Sequence, residues 1–147
     1  MSQKSEAEAE AVAERYARRQ DLGRYSMLRP EVWQAVQERQ RAMLRLFTQA
    51  GLQDLSRLRL LEVGCGHGDN LLELLTLGFD PARLVGNELL PERAAAARLR
   101  LPAAMSLHEG DATALPFAPA SFDLVLQTTA GVQPNLPPDS QASPEVI

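Results

Sequence analysis

The sequence predicts an α/β fold of the Rossmann-like, doubly wound kind, a parallel sheet flanked by helices and preceded by N-terminal helices. Three observations carry that prediction. Four short apolar runs, LRLLEV (58–63), RLVGNE (83–88), MSLHEGD (105–111) and FDLVLQ (122–127), alternate with helix-forming stretches. Such alternation implies parallel pairing through helical crossovers. Glycines at 64, 66 and 68 follow the first run and open a helix, the place where such sheets bind ligands. Acids stand at or near the ends of the first three runs, at Glu62, Glu88 and Asp111.

Each element has its own signals. Residues 5–20 are good helix formers with a weak apolar face (Val12, Tyr16), which suits a mobile lead helix. Pro30 stands where a helix begins and Gly51 where it ends. Between them Val32, Trp33, Val36, Ala42, Met43, Leu46 and Phe47 recur at three- and four-residue spacing, marking one apolar face. DNLLELLTLG is helical and stops at Gly78, and PERAAAARLR starts a helix at Pro91. Beyond Ala130, GVQPNLPPDSQASPEVI has four prolines and no periodicity, the pattern of a disordered tail. The expected organisation is therefore a helical segment over 1–57, a Rossmann-like half-domain over 58–130 and a tail over 131–147.

Composition narrows the function. At 147 residues and 45% apolar, the chain has the size and content of one globular domain. Its apolar stretches are far short of the roughly 20 residues that cross a bilayer. The acidic N-terminus has no apolar core for a secretory signal. The single Cys65 excludes an internal disulfide and suits a reducing cytoplasm, and the few His and Cys residues cannot build a four-ligand zinc site. Residues 1–60 hold 11 Lys/Arg against 8 Asp/Glu (+3), whereas 61–147 hold 4 against 11 (−7). No basic stripe of the nucleic-acid kind is present, and the acidic half points weakly to a cationic ligand.

The glycine spacing is Gly-x-Gly-x-Gly, not the Gly-x-Gly-x-x-Gly of a dinucleotide binder, which argues against a nicotinamide enzyme. A helix N-terminus behind it offers free N–H groups and a positive dipole to an anion. Glu88, 20 residues after Gly68, can accept from both hydroxyls of a ribose. Asp111 can accept from an exocyclic amine such as that of adenine, with the Ala112 N–H beside it, or it can cap the following turn. Glu62 should face a partner, because burying an unpaired carboxylate is costly, and a ligand ammonium would serve.

Together these features resemble the class I S-adenosylmethionine-dependent methyltransferases. LLEVGCGHG looks like that family's glycine-rich first motif, VGNELLPER its second-strand motif, EGDATALPF the third and SFDLVLQ the fourth. The resemblance covers about residues 58 to 128 and is closest to small-molecule-type domains. It implies S-adenosylmethionine as cofactor and an unknown methyl acceptor. By resemblance, Gly64, Cys65, Gly66, His67 and Gly68 approach the methionine part, and Glu62 its ammonium. Glu88 holds the ribose with Asn87 and Leu89 nearby, Asp111 and Ala112 read the adenine, and Gln127 lies beside the sulfonium. That ligand has no phosphate, so the loop needs no Lys or Arg, and it contains none. His67 reads as a loop residue, Cys65 as a small packed residue, and His108 as core or surface. In-line displacement from a sulfonium needs positioning more than a fixed acid or base, so no catalytic residue is named. Tyr16, Tyr25 and Trp33 are lid candidates, with core packing preferred for Trp33.

The family pattern normally has seven strands, and this sequence shows four. The expectation is a truncated or split methyltransferase, with binding without turnover as the alternative. The fourth strand would then be a bare edge, open to a second copy or a partner chain.

Overall fold

The computed structural model describes residues 3–20, 26–128 and 145–146. It divides into two compact units, residues 1–45 and 46–147. Most of the expected tail, and the lid candidate Tyr25, lie outside the described residues.

The first unit holds helix α1 (Gln3–Gln20) and most of α2 (Pro30–Gln49). Pro30 opens α2 with its φ preset for a helix, and Glu31 meets the positive end of the dipole. Gly51 ends it with φ 72°, while the Leu52 N–H returns to the Phe47 carbonyl at 3.0 Å. The apolar stripe runs through Val32, Val36, Met43 and Phe47, the last two 4% exposed. Trp33 is one position round from it and 52% exposed, so the expected core role is corrected. A step of about 100° carries a side chain from the edge of a stripe into solvent.

The second unit is built on a sheet of order β3-β2-β1-β4-β5, comprising β1 (Leu60–Val63), β2 (Leu84–Glu88), β3 (Ser106–Glu109), β4 (Leu124–Gln127) and β5 (Glu145–Val146). The first four strands are parallel; Leu60 faces Leu84 on one side and Leu124 on the other. The strand order, not the strand direction, reverses at β1, whose two neighbours are the next strand in sequence and the last parallel one. Helix α3 (Asp69–Leu77) joins β1 to β2, and α4 (Pro91–Arg100) joins β2 to β3 and packs on both. The core is aliphatic: Leu60, Leu71, Leu74, Leu84 and Leu126 are at most 1% exposed. β1 and β2 are nearly all buried, as expected of parallel strands covered on both faces, whereas the edge strand β3 is not.

Two further features set the sheet. Gly86, in the middle of β2, is glycine for space: a Cβ there would lie 2.8 Å from Leu107 Cδ1, 2.9 Å from Cys65 Sγ and 3.0 Å from Leu71 Cδ1. Ahead of β1 and β4, the Asp123 carboxylate accepts from the Arg59 N–H at 2.8 Å, and the Arg59 carbonyl accepts from Asp123 N–H at 2.9 Å.

Besides Trp33, the structure differs from the sequence reading in two places. Asp111 lies beyond the end of β3 and caps the short turn 112–114. The edge of β4 is not bare at its carboxyl end: Glu145 and Val146, from the segment read as tail, pair antiparallel with Gln127 and Leu126. An antiparallel return needs only two hydrogen-bonded residues, fewer than any periodicity can reveal.

Candidate functional site

Parallel register brings the carboxyl ends of four strands to one edge, where Val63 lies between Asn87 and Gln127, and Asn87 beside His108. The loop 64–68 and the segments 87–89, 110–112 and 127–128 therefore share that edge. It is also the switch point of the sheet, where ligands bind in folds of this kind.

The glycine loop turns sharply, with φ 70°, 59° and 87° at Gly64, Gly66 and Gly68, values that L side chains rarely adopt. What approaches each glycine differs. A Cβ on Gly64 would meet nothing within 4 Å, so that residue keeps only its backbone freedom and an open face. On Gly66 it would stand 2.6 Å from Arg93 Nη2, and on Gly68 2.9 Å from Leu101 Cδ2. Arg100 donates to the His67 carbonyl at 3.0 Å and pairs with Asp69 at 2.7 Å. The loop contains no arginine, yet α4 and the residue after it bring two guanidiniums and a leucine against it.

Glu88, 5% exposed, is bound into this loop: Oε2 accepts from the Gly66 N–H at 2.7 Å and Oε1 from the Leu90 N–H at 3.1 Å. Asn87, 2% exposed, is a frame residue. Its carbonyl accepts from Cys65 N–H at 2.8 Å, and its Nδ2 donates to the Gly110 carbonyl at 3.0 Å. Glu62, 1% exposed, accepts on Oε1 from Asn70 Nδ2 at 2.7 Å. The same Nδ2 donates to Thr128 Oγ1 at 3.0 Å, so Asn70 ties β1, α3 and the end of β4 together across the switch point. Asn70 was only a neighbour of the motif in sequence terms; its bridging role depends on Thr128, 58 residues away.

The remaining candidates gather less tightly. Asp111 Oδ1 accepts from the Thr113 N–H and hydroxyl, both at 2.8 Å, the capping alternative raised by the sequence. Ala112 and Gln127 are exposed, and Leu89 and His67 are half-buried. His108 faces Phe117 edge-on at 6.1 Å, a packing role. Trp33 and the α1 residue Tyr16 belong to the other unit. Among the described residues no group of three His, Cys, Asp or Glu could hold a metal ion, and no helix is long and apolar enough to cross a membrane.

Cys65 is buried, and its thiol is pushed up to about 12 by burial first, then by the nearby Glu62 and Glu88 carboxylates. A raised folded value means a proton held more tightly in the native state. The associated stability is complete below the unfolded value near 9.0 and is lost as pH rises toward 12. Native protein at pH 8 should therefore react with a thiol reagent such as dithionitrobenzoate far more slowly than urea-unfolded protein. Melting temperature should fall between pH 9 and 11 in wild type and less so in Cys65→Ala. Rapid labelling of native protein would contradict the burial.

A methyltransferase-domain family model matches residues 60–143. Among solved structures, the chain is similar to an S-adenosylmethionine-bound amino pentose methyltransferase of Micromonospora echinaspora (32% identity, 63% of this chain and 35% of that one, TM-score 0.49). It is similar also to an S-adenosylmethionine-dependent methyltransferase of Mesorhizobium loti (26% identity, 54% and 36%, TM-score 0.46). A third is the sugar N-methyltransferase of a Streptoalloteichus species (34% identity, 49% and 28%, TM-score 0.41). The chain spans about a third of the length of these structures. No curated protein sequence matches it. With more than half the chain matched by the family model, and the four motif segments assembled on one parallel sheet edge, this protein belongs to the class I methyltransferases, the family whose cofactor is S-adenosylmethionine.

Proposed function

We propose that residues 58–130 form the cofactor-binding half of a methyltransferase acting on a small-molecule acceptor. The observation that carries this reading is the bond from the Gly66 N–H to the buried Glu88 carboxylate, 2.7 Å, which joins glycine loop and acid into one polar rim. A carboxylate has roughly four acceptor directions. Two are used by backbone N–H groups, leaving two toward the ribose hydroxyls. Glu62 and Glu88 at the ends of adjacent strands suit a ligand carrying ammonium and sulfonium charges.

The roles follow the order of strands along the edge. Gly64, Cys65, Gly66, His67 and Gly68 line the methionine part, whose carboxylate meets the N-terminus of α3. Asn70 fixes Glu62 for the ammonium. Asn87 and Leu89 flank the ribose held by Glu88, Asp111 and Ala112 take the adenine, and Gln127 stands beside the sulfonium. When bound, the cofactor supplies an electrophilic methyl group on a sulfur that departs as a neutral thioether. The chain's own contribution is to hold that end in line with the acceptor, the term that dominates such displacements. The lack of a basic stripe in the sequence favours a small acceptor over nucleic acid, and the single buried Cys65 favours a cytoplasmic setting.

Calorimetry with S-adenosylmethionine, S-adenosylhomocysteine and NAD tests the reading. The first two should bind and the third should not; NAD binding, or none, would overturn it. Binding without turnover is the second reading, favoured by β4, whose outer side, among the described residues, is paired by β5 at Leu126 and Gln127 alone. A strand so sparsely covered suits completion by a second copy or a partner chain. Radiolabelled methyl transfer over a broad acceptor panel, with oligomeric state measured in parallel, separates the two.

A further inference from the structure

We propose that Thr128 is a positioning residue for the ammonium end of the cofactor, acting through Asn70 on the buried Glu62 carboxylate. The inference rests on the S-adenosylmethionine reading above and adds a residue that no motif named.

Three observations carry it. First, one amide nitrogen serves two acceptors, one on β1 and one just past β4. Asn70 Nδ2 donates to Glu62 Oε1 at 2.7 Å and to Thr128 Oγ1 at 3.0 Å. An amide nitrogen carries two protons, and here both are used. Second, the register brings these groups together. Glu62 pairs with Leu126 across the two strands, and Thr128 stands two residues past Leu126. Side chains two apart along a strand share a face, so the Thr128 hydroxyl comes to the face from which Asn70 approaches Glu62. Third, the bridge is sheltered. Glu62 is 1% exposed and its two companions are half-buried, so water is poorly placed to replace a lost partner.

A terminal amide turns on a broad torsion, and one bond to Glu62 would leave its plane loosely set. The carboxylate accepts and cannot donate, which turns the nitrogen rather than Oδ1 toward it. Thr128 Oγ1 takes the second proton and stops the remaining rotation. Glu62 is then held at one angle and meets the ammonium already oriented, a gain in preorganisation rather than in contacts. The hydroxyl works at one remove and needs no contact with the ligand. Glu88 and Asp111, which the reading gives to the adenosine, stand on the β2 and β3 side of the sheet, away from this bridge.

The test is calorimetry on the whole chain, wild type against Thr128→Val and Thr128→Ser. The ligands are S-adenosylhomocysteine and 5′-methylthioadenosine, which keeps the adenosine but lacks the amino-acid end and is measured by displacement where it binds weakly. Thr128→Val keeps the shape and loses the acceptor. It should weaken S-adenosylhomocysteine about 2- to 10-fold and leave 5′-methylthioadenosine unchanged. Thr128→Ser, which restores the hydroxyl, should bind both ligands as wild type does. In an Asn70→Ala background, Thr128→Val should cost nothing further, since the amide through which it acts is gone. Equal loss of both ligands would mark a general disturbance of the sheet edge and overturn the proposal. Unchanged or tighter S-adenosylhomocysteine binding would do the same, as would a full extra loss in the Asn70→Ala background. Should Thr128→Val fail to fold, as judged by circular dichroism, Thr128→Ala is read in the same way. If wild-type protein binds neither ligand, the cofactor reading itself falls, and this inference with it.

Discussion

Replacing Gly66 with valine is expected to abolish S-adenosylhomocysteine binding, with affinity reduced more than about 100-fold. Two obstacles act at once. The backbone there has φ 59°, which costs an L residue roughly 1–2 kcal/mol and a β-branched one more. The new Cβ would also meet Arg93 Nη2 at 2.6 Å. The second obstacle is the end of a flexible side chain and can move aside; the first cannot. Strain should therefore dominate, and removing the arginine in a Gly66→Val/Arg93→Ala double variant should not restore binding. The loop would relax toward negative φ, withdrawing the Gly66 N–H from Glu88. Retained affinity in a folded Gly66→Val protein, measured by calorimetry, would contradict the assignment of this loop to the cofactor.

Glu88→Ala is the second large effect, and it acts on stability as well as affinity. The carboxylate holds two backbone donors, Gly66 and Leu90, at a site 5% exposed. Deleting it strands both N–H groups, each worth about 1–3 kcal/mol. Loss of a charged acceptor from the ribose should lower affinity roughly tenfold to a hundredfold beyond that. Glu88→Asp should be milder in both respects, since one carboxylate oxygen can still reach a backbone donor. Thermal melts and calorimetry of the two variants give the comparison. If neither melting temperature nor affinity changes, Glu88 is a solvated strand end and nothing more.

Much of the architecture was written locally. Pro30, Gly78 and Pro91 mark helix boundaries because each has a backbone property that acts on its own residue, a fixed φ in the prolines and access to positive φ in the glycine. The β1 and β2 runs read as buried strands because both faces are covered, and Glu88 does end its strand. What the sequence hid is what depends on distant partners. The reason for glycine at 66 and 68 lies partly in Arg93 and Leu101, 27 and 33 residues further on. A glycine motif shows that something comes close without saying what. Asn70 is similar: an amide in a first helical turn is unremarkable until Thr128 is brought within 3.0 Å. Trp33 misled because three- and four-residue spacing tolerates a position at the border of the stripe. Asp111 had two physically sound readings, and its cap geometry uses Oδ1 locally without deciding what else the carboxylate serves.

The grip between Arg59 and Asp123 bears on the order in which the molecule assembles. β1 meets β2 at a separation of 24 residues, Leu60 to Leu84, but meets β4 at 64, Leu60 to Leu124. Closing the longer loop costs about 0.9 kcal/mol more in chain entropy if it closes independently. Parallel pairing of this kind is slow because little is gained until the ends have met. Refolding should therefore build β1, β2 and β3 with their helices first, and dock β4 last onto the waiting flank of β1. Pulsed hydrogen exchange would show protection at Leu61 and Val85 before Val125. The Asn70 bridge to Thr128 closes with that final docking, so the switch-point side of the site becomes competent only at the end of folding, and ligand binding during refolding becomes a clock for the last step rather than the first.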